Sequence, residues 1–65
     1  MQRYPIISIV IPVFNAEVFI VKAVETVLAT DYPNFEVVIV DDSSTDGSWE
    51  LIRSRFGKLR NVRIS

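Results

Sequence analysis

Residues 36–48 read EVVIVDDSSTDGS, and this stretch decides how the chain folds. Residues 37–40 form an uninterrupted β-branched run, which is typical of a parallel strand that is buried on both faces. Asp41 and Asp42 follow directly after the run. In open α/β sheets, ligands bind at the carboxyl ends of the strands, because the loops there leave a crevice. The stretch therefore predicts a central strand with a binding site at its end.

Apolar periodicity on either side of this stretch predicts an alternation of strands and helices. We predict strands over residues 6–13, 36–40 and within 61–65, and helices over residues 16–29 and 46–56. Asn15 is expected to cap the first helix, and Glu17 suits the positive end of that helix. Ser44 or Thr45 is expected to cap the second helix, which Gly57 should end.

Strands separated by helices of this length favour a parallel sheet with right-handed crossovers. Two crossovers in the same direction give the strand order 3-2-1 and put both helices on one face. The predicted fold class is therefore α/β, with a β-α-β-α-β order and a three-stranded parallel sheet. Both long strands are apolar on both faces, so one alternate set of the first strand must point away from the helices, either Ile7, Ile9 and Ile11 or Ile6, Ser8 and Val10. We expect a single partial domain, either the N-terminal part of a longer protein or a chain that self-associates through the uncovered face.

Composition excludes several classes of function. The 65 residues make at most one small domain, and seven basic against eight acidic residues give a net charge of -1. No nucleic-acid partner is expected, since that would need a clustered basic face. Without cysteine or histidine, disulfides, thiolate or imidazole metal sites and Ser-His-Asp catalysis are excluded within the chain. The apolar N-terminal run is too short and too proline-interrupted for a membrane span, which favours a cytoplasmic location.

The paired carboxylates Asp41 and Asp42 are the strongest candidates for a functional role. Adjacent like charges repel, so a ligand that donates hydrogen bonds, such as a ribose hydroxyl or a base N–H, would be favoured there. The structural alternative is a loop that only caps the next helix, and Asp46 with Ser44 could do that alone.

A second set of candidates follows the first strand, at the equivalent position. Phe14 could lie against a planar ligand, with Pro12 beside it, and Asn15 or Glu17 could contact polar groups. Backbone N–H groups before the second helix could bind phosphate. The Walker and G-x-G-x-x-G phosphate-binding motifs are absent, which favours an ordinary capping loop.

The motif ISIVIPVFNAE, followed after one helix and a turn by EVVIVDDSSTDGS, resembles the N-terminal segment of family 2 glycosyltransferases. The resemblance covers residues 7–64. It implies the Rossmann-like N-terminal half of a GT-A fold. It also implies a nucleotide-diphosphosugar donor and inverting transfer to a glycan or lipid-linked acceptor in polysaccharide biosynthesis. The resemblance is also compatible with a parent protein at the cytoplasmic face of a membrane.

The resemblance also implies roles for individual residues. Pro12 and Phe14 would border the base, Asp42 would accept from it, and Glu17 and Asp41 would lie around base and ribose. The sequence DDSS stands where DDGS is more usual in the family, which puts a β-carbon where glycine often lies. The D-x-D metal motif and the catalytic base of the family lie beyond the third strand. A divalent cation (Mg or Mn) is therefore expected to be held by residues outside this chain, and the segment alone is expected to be inactive.

The sequence also admits two other interpretations. A response-regulator receiver domain also carries paired aspartates after a strand, although there the pair follows the first strand. Alternatively, the segment is a non-catalytic interaction surface that uses its apolar second sheet face. Labelling of an aspartate by acetyl phosphate would favour the receiver domain, and nucleotide titration would distinguish the interaction surface from the glycosyltransferase interpretation.

Overall fold

The computed structural model describes residues 4–65, which form strands and helices in strict alternation. The elements are β1 (Ile7–Val13), α1 (Ile20–Leu28), β2 (Phe35–Asp41), α2 (Ser48–Phe56) and β3 (Val62–Ile64). The strands form a three-stranded parallel sheet with β2 in the centre. The α/β class and the order of the strands are thus confirmed.

The core lies between the sheet and the two helices. Val37 and Ile39 are fully buried and pack in one cluster with Val24 of α1 and Ile52 of α2. Each buried side chain of this size contributes ~1.5–3 kcal/mol. Because Val37 and Ile39 are alternate residues of β2, both helices cover the same face of the sheet.

The opposite face of the sheet is uncovered, as the topology predicts. Val10 is 60% exposed and Val40 is 37% exposed. The face also carries a polar row that the sequence analysis did not predict. The Ser8 hydroxyl donates to the Glu36 carboxylate at 2.5 Å, and Arg63 Nε lies 3.7 Å from the other Glu36 oxygen. Within the strands, the apolar part of this face is therefore the half nearer their carboxyl ends, while the exposed Ile6 lies just before β1 at the opposite end.

Helix α1 begins later than predicted. The N–H groups of Phe19 and Ile20 both donate to the Ala16 carbonyl, so a turn precedes the helix. The prediction that Asn15 caps α1 is wrong. Its φ of 48° turns the chain through the left-handed region, and its side chain binds a different loop. The turn leaves Phe19 73% exposed.

Helix α2 also begins later than predicted, and neither Ser44 nor Thr45 caps it. Gly47 occupies the N-cap position, without a side-chain hydrogen bond. Gly57 lies at the C-cap as predicted, but in the right-handed region, with a φ of -65°. A β-carbon there would lie 2.5 Å from the Arg53 carbonyl oxygen. Steric clearance, and not a left-handed turn, therefore favours glycine at this position.

Strand β2 extends one residue further at each end than predicted, and β3 matches the predicted VRI segment. Asp41 is consequently the last residue of β2 and pairs with Val13, the last residue of β1. Within residues 4–65, no helix has the length and apolar character needed to cross a membrane.

Candidate functional site

The carboxyl ends of β1 and β2 bring the predicted site residues to one edge of the sheet. Val13 and Asp41 are paired across the two strands. The Asp42 N–H donates to the Val13 carbonyl at 2.8 Å, which continues the pairing one residue further. The loop after β1 and the loop after β2 therefore run side by side, and we call residues 12–17 and 41–48 together the site edge.

The Asp41 carboxylate is hydrogen-bonded within its own loop. It shares the helix-facing side of β2 with Val37 and Ile39 and is half-buried. One carboxylate oxygen accepts the Ser44 N–H at 3.1 Å, and the other accepts the Ser44 hydroxyl at 2.5 Å. This carboxylate thus fixes the turn after β2 and does not cap α2.

Asp42 differs from Asp41 in both the exposure and the hydrogen bonding of its side chain. Its side chain is exposed, and its carboxylate has no hydrogen-bond or ion-pair partner within the described part of the chain. Phe14 is 61% exposed and directly follows Val13, whose carbonyl accepts the Asp42 N–H. Pro12 is exposed on the same strand end. The site edge therefore presents a free carboxylate next to an exposed aromatic side chain.

The Glu17 carboxylate lies at the start of α2. Glu17 itself is in the turn before α1, and not in the first turn of that helix as predicted. A β-carbon on Gly47 would come within 2.6 Å of Glu17 Oε2, so the carboxylate lies directly against that glycine. The Glu17 N–H donates to Asp46 at 3.2 Å. A carboxylate in this position is favoured by the partial positive charge at the N-terminus of α2.

Asn15 joins the two loops, a role that the sequence analysis missed. Its side-chain oxygen accepts the N–H groups of Thr45 at 2.7 Å and Asp46 at 3.3 Å. Its own N–H donates to the Ser44 hydroxyl at 2.9 Å. The available signal was the tolerance of asparagine for the left-handed region, which suits a turn as well as a cap.

Ser48 forms a second bridge between the loops. It is fully buried; its hydroxyl accepts the Ala16 N–H at 2.8 Å and donates to Asp46 at 2.6 Å. Asp46 also accepts the Ser48 N–H at 2.9 Å. The Ser48 hydroxyl, followed by backbone N–H donors, lowers the pKa of the Asp46 carboxyl below its ordinary value. The Asp-Gly-Ser sequence was the signal for this turn, in which aspartate binds the backbone two residues on.

The site edge does not by itself fit a divalent cation. Mg²⁺ and Ca²⁺ require several oxygen ligands, usually including carboxylates. Asp41 already accepts from Ser44 through both oxygens, and residues 4–65 contain no cluster of three or more metal-ligating side chains. A groove between α2 and β3 is lined by Trp49 and Arg53 among others, and its lining includes no residue of the predicted site.

Comparison with known proteins places the chain among sugar transferases. The family model described as "Glycosyl transferase family 2" matches residues 8–65. The WcaA protein of Escherichia coli (strain K12), named for glycosyl transfer in colanic acid biosynthesis, is 40% identical over 100% of this chain and 23% of its own length. A glycosyltransferase of Haemophilus influenzae (strain ATCC 51907 / DSM 11121 / KW20 / Rd) is 38% identical over 97% of this chain and 25% of its own.

A third relative carries a more specific name. It is the Escherichia coli WfaP protein, "UDP-Glc:alpha-D-GlcNAc-diphosphoundecaprenol beta-1,3-glucosyltransferase", 39% identical over 91% of this chain and 22% of its own length. The chain thus spans about a quarter of the length of these three relatives. The matched part includes both loops of the site edge.

Proposed function

Because the chain belongs to glycosyl transferase family 2, we propose that the protein carrying it transfers a glycosyl group from a nucleotide-diphosphosugar donor. The acceptor is a glycan or a lipid-linked saccharide in polysaccharide biosynthesis, and the anomeric configuration is inverted. The names of the relatives in colanic acid and lipid-linked saccharide synthesis support this class of reaction. The site edge binds the nucleotide part of the donor.

The observation that carries the proposal is the unpartnered Asp42 carboxylate beside the exposed Phe14. A nucleobase has a planar face that stacks on an aromatic ring and an edge that carries N–H donors. A carboxylate accepts such donors, and it accepts ribose hydroxyls equally well. Phe14 and Pro12 therefore border the base, and Asp42 accepts from its edge.

Asp41 and Glu17 have supporting roles in this proposal. Asp41 acts through Ser44, whose N–H and hydroxyl it holds, and so shapes the turn beside the base. Glu17 bounds the site on the side of α2, where its carboxylate lies against Gly47. Neither carboxylate needs to contact the nucleotide directly.

The reaction needs groups that the site edge lacks. A general base must activate the acceptor hydroxyl, and a divalent cation, when bound, neutralises the departing diphosphate. We assign both to residues outside this chain. The 65-residue chain is therefore expected to produce no glycosylated product from UDP-glucose or another donor. Product formation above the buffer background by the purified chain would contradict this assignment.

The binding step can be tested on the chain itself by nuclear magnetic resonance. Titration with UDP and, separately, GDP should shift the amide signals of Phe14 and Asp42, and the stronger ligand identifies the preferred base. Asp42→Ala removes a charge-assisted hydrogen bond of ~1.5–3 kcal/mol, so affinity should fall roughly tenfold or more. Glu25→Gln, on the exposed side of α1, is the matched control and should leave affinity unchanged.

The outcome that contradicts nucleotide binding is equally clear. A well-folded sample in which neither nucleotide moves the Phe14 or Asp42 signals would reject the role proposed for the site edge. The uncovered sheet face would then become the more important surface, in line with the interaction hypothesis.

A further inference from the structure

We propose that Asn15 is a positioning residue, which ties the loop after β1 to the loop after β2 and thereby fixes the Asp42 carboxylate. The ligand in this inference rests on the proposed function. The mechanical part, that Asn15 restrains the loop that carries Asp42, concerns the free protein and can be tested without any ligand.

Asn15 contacts the second loop through both its backbone and its side chain. Its N–H donates to the Ser44 hydroxyl, and its side-chain oxygen accepts from Thr45 and Asp46, at distances between 2.7 and 3.3 Å. The Thr45 hydroxyl adds a longer contact of 3.3 Å to the same oxygen. Three consecutive residues of the second loop are therefore held by one residue that lies 29 to 31 positions earlier in the chain.

Asp42 lies inside the segment that these contacts restrain. On its N-terminal side, its own N–H is bonded to the Val13 carbonyl. On its C-terminal side, only Ser43 separates it from Ser44, which is held by both Asp41 and Asn15. Ser43 itself has a φ of 57°, a conformation that a serine adopts only when its surroundings impose it. Release of the Asn15 contacts would leave this segment held only by the Val13 carbonyl and by the Asp41 carboxylate on Ser44.

A restrained carboxylate binds more tightly than a mobile one, because less conformational entropy is lost when the ligand arrives. The other cross-loop contacts do not replace Asn15. The Ser48 hydroxyl and the Asp46 carboxylate accept the N–H groups of Ala16 and Glu17. Both acceptors lie farther along the chain from Asp42 than Ser44 does. Apart from the Val13 carbonyl, Asn15 thus makes the cross-loop contacts that fall closest to Asp42.

The chemistry of position 15 suggests variants that separate its two properties. Asparagine tolerates a φ of 48° and also supplies an acceptor oxygen. Asn15→Gly keeps the left-handed backbone but removes the acceptor. Asn15→Asp keeps both the tolerance and the acceptor, whereas Asn15→Ala keeps neither. Ser8→Ala is the control, since it removes a hydrogen bond between the same two strands on the uncovered face.

The first measurement is amide hydrogen exchange at Thr45 and Asp46 in the free chain. We expect exchange at least about tenfold faster in Asn15→Gly and Asn15→Ala, and close to wild type in Asn15→Asp and Ser8→Ala. The second measurement is the affinity for UDP, at about 0.5 M salt to screen the charge added by aspartate. We expect a loss of about fivefold or more in Asn15→Gly, with recovery in Asn15→Asp.

Each outcome decides a different statement. Unchanged exchange at Thr45 in Asn15→Gly would overturn the restraint itself. Faster exchange with an unchanged UDP affinity would overturn the positioning role while leaving the contacts real. Failure of the wild-type chain to bind either UDP or GDP would overturn the nucleotide role proposed for the site edge, and the exchange rates would still decide whether Asn15 holds the loop. A merely structural role would lower affinity and global stability together, so urea denaturation of all four variants is the final check.

Discussion

At the scale of single residues, backbone strain is concentrated at the site edge. Asn15 and Ser43 are the non-glycine residues with positive φ in the described range 4–65, and they lie in the two loops that run side by side. Such conformations cost on the order of 1–3 kcal/mol and persist where the surroundings impose them. Here the surroundings are the hydrogen bonds among Asn15, Asp41 and Ser44.

Replacement of Ser43 by glycine should stabilise the protein. A serine in the left-handed region costs roughly 1–2 kcal/mol, and glycine removes this strain. The greater conformational freedom of glycine in the unfolded chain offsets about half of the resulting gain in stability. We expect Ser43→Gly to raise the free energy of unfolding by about 0.5–1 kcal/mol, measured by urea denaturation. Ser54→Gly, in the right-handed backbone of α2, should instead lower it by a similar amount. A Ser43→Gly variant no more stable than wild type would argue against the strain.

Asp46 should give the protein an acid-sensitive component of stability. Its pKa is lowered in the folded state, chiefly by the Ser48 hydroxyl, so near pH 4 the unfolded chain binds more protons than the folded one. The contribution is complete above the ordinary aspartate pKa of about 3.9 and is lost as the pH falls through the lower folded value. The urea midpoints of wild type and Asp46→Asn should therefore differ most above pH ~5 and converge towards pH ~3.

The charge-matched control for this experiment is Asp31→Asn, an exposed carboxylate in the loop before β2. Its midpoint should follow that of wild type more closely across the same range. Parallel curves for wild type and Asp46→Asn at every pH would show that ionisation of Asp46 does not contribute to folding.

At the scale of elements, a single buried polar side chain joins the start of α2 to the turn that follows β1. Ser48 is the first residue of α2 and has no exposed surface, and its hydroxyl holds the Ala16 N–H in the turn before α1. A buried donor left without its acceptor costs about 1–3 kcal/mol. This contact explains why the turn at Ala16 replaces the first turn of the predicted helix.

Removal of the Ser48 hydroxyl should therefore be costly. We expect Ser48→Ala to lower the free energy of unfolding by about 1–3 kcal/mol, because the Ala16 N–H loses its acceptor and Asp46 Oδ1 keeps only one of its two donors from Ser48. Ser54→Ala, an exposed serine of the same helix whose hydroxyl only bonds the Leu51 carbonyl, should change it by less than ~0.5 kcal/mol. Equal effects of the two substitutions in urea denaturation would contradict this view of the junction.

At the scale of the whole molecule, the fold is one-sided. Both helices cover one face of the sheet, and Val10 and Val40 are exposed on the other. The polar row of Ser8, Glu36 and Arg63 interrupts that face at the amino ends of the strands. Since exposed apolar surface promotes association, the apolar half of this face is where self-association or a covering partner is expected.

Substitution of Val10 should distinguish the two faces. Val10→Thr is expected to change the free energy of unfolding by less than ~0.5 kcal/mol and to lower apolar-dye fluorescence and any self-association in sedimentation velocity. Val24→Thr, on the covered side and fully buried, should cost about 1–3 kcal/mol because a hydroxyl enters the core. A large loss of stability in Val10→Thr would mean that its face is packed in solution.

Much of the candidate site could be anticipated from local patterns. The position of Asp42 and Phe14 at one edge follows from the parallel sheet alone, because the ends of adjacent parallel strands meet. The helix starts could not be predicted in the same way. Asn15, Ser44 and Asp46 are equally good local caps in the sequence, and which of them binds which backbone group depends on the neighbouring loop.

The sequence by itself determined the alternation of strands and helices, the parallel sheet and the edge at which its loops meet. These follow from apolar periodicity and chain connectivity, which are local properties. Only the tertiary structure decided that Asp41 binds Ser44, that the Asp42 carboxylate has no partner among residues 4–65 and that Asn15 and Ser48 join the two loops. Most of these contacts link residues that are about thirty positions apart, so they exist only once the register of β1 against β2 is set.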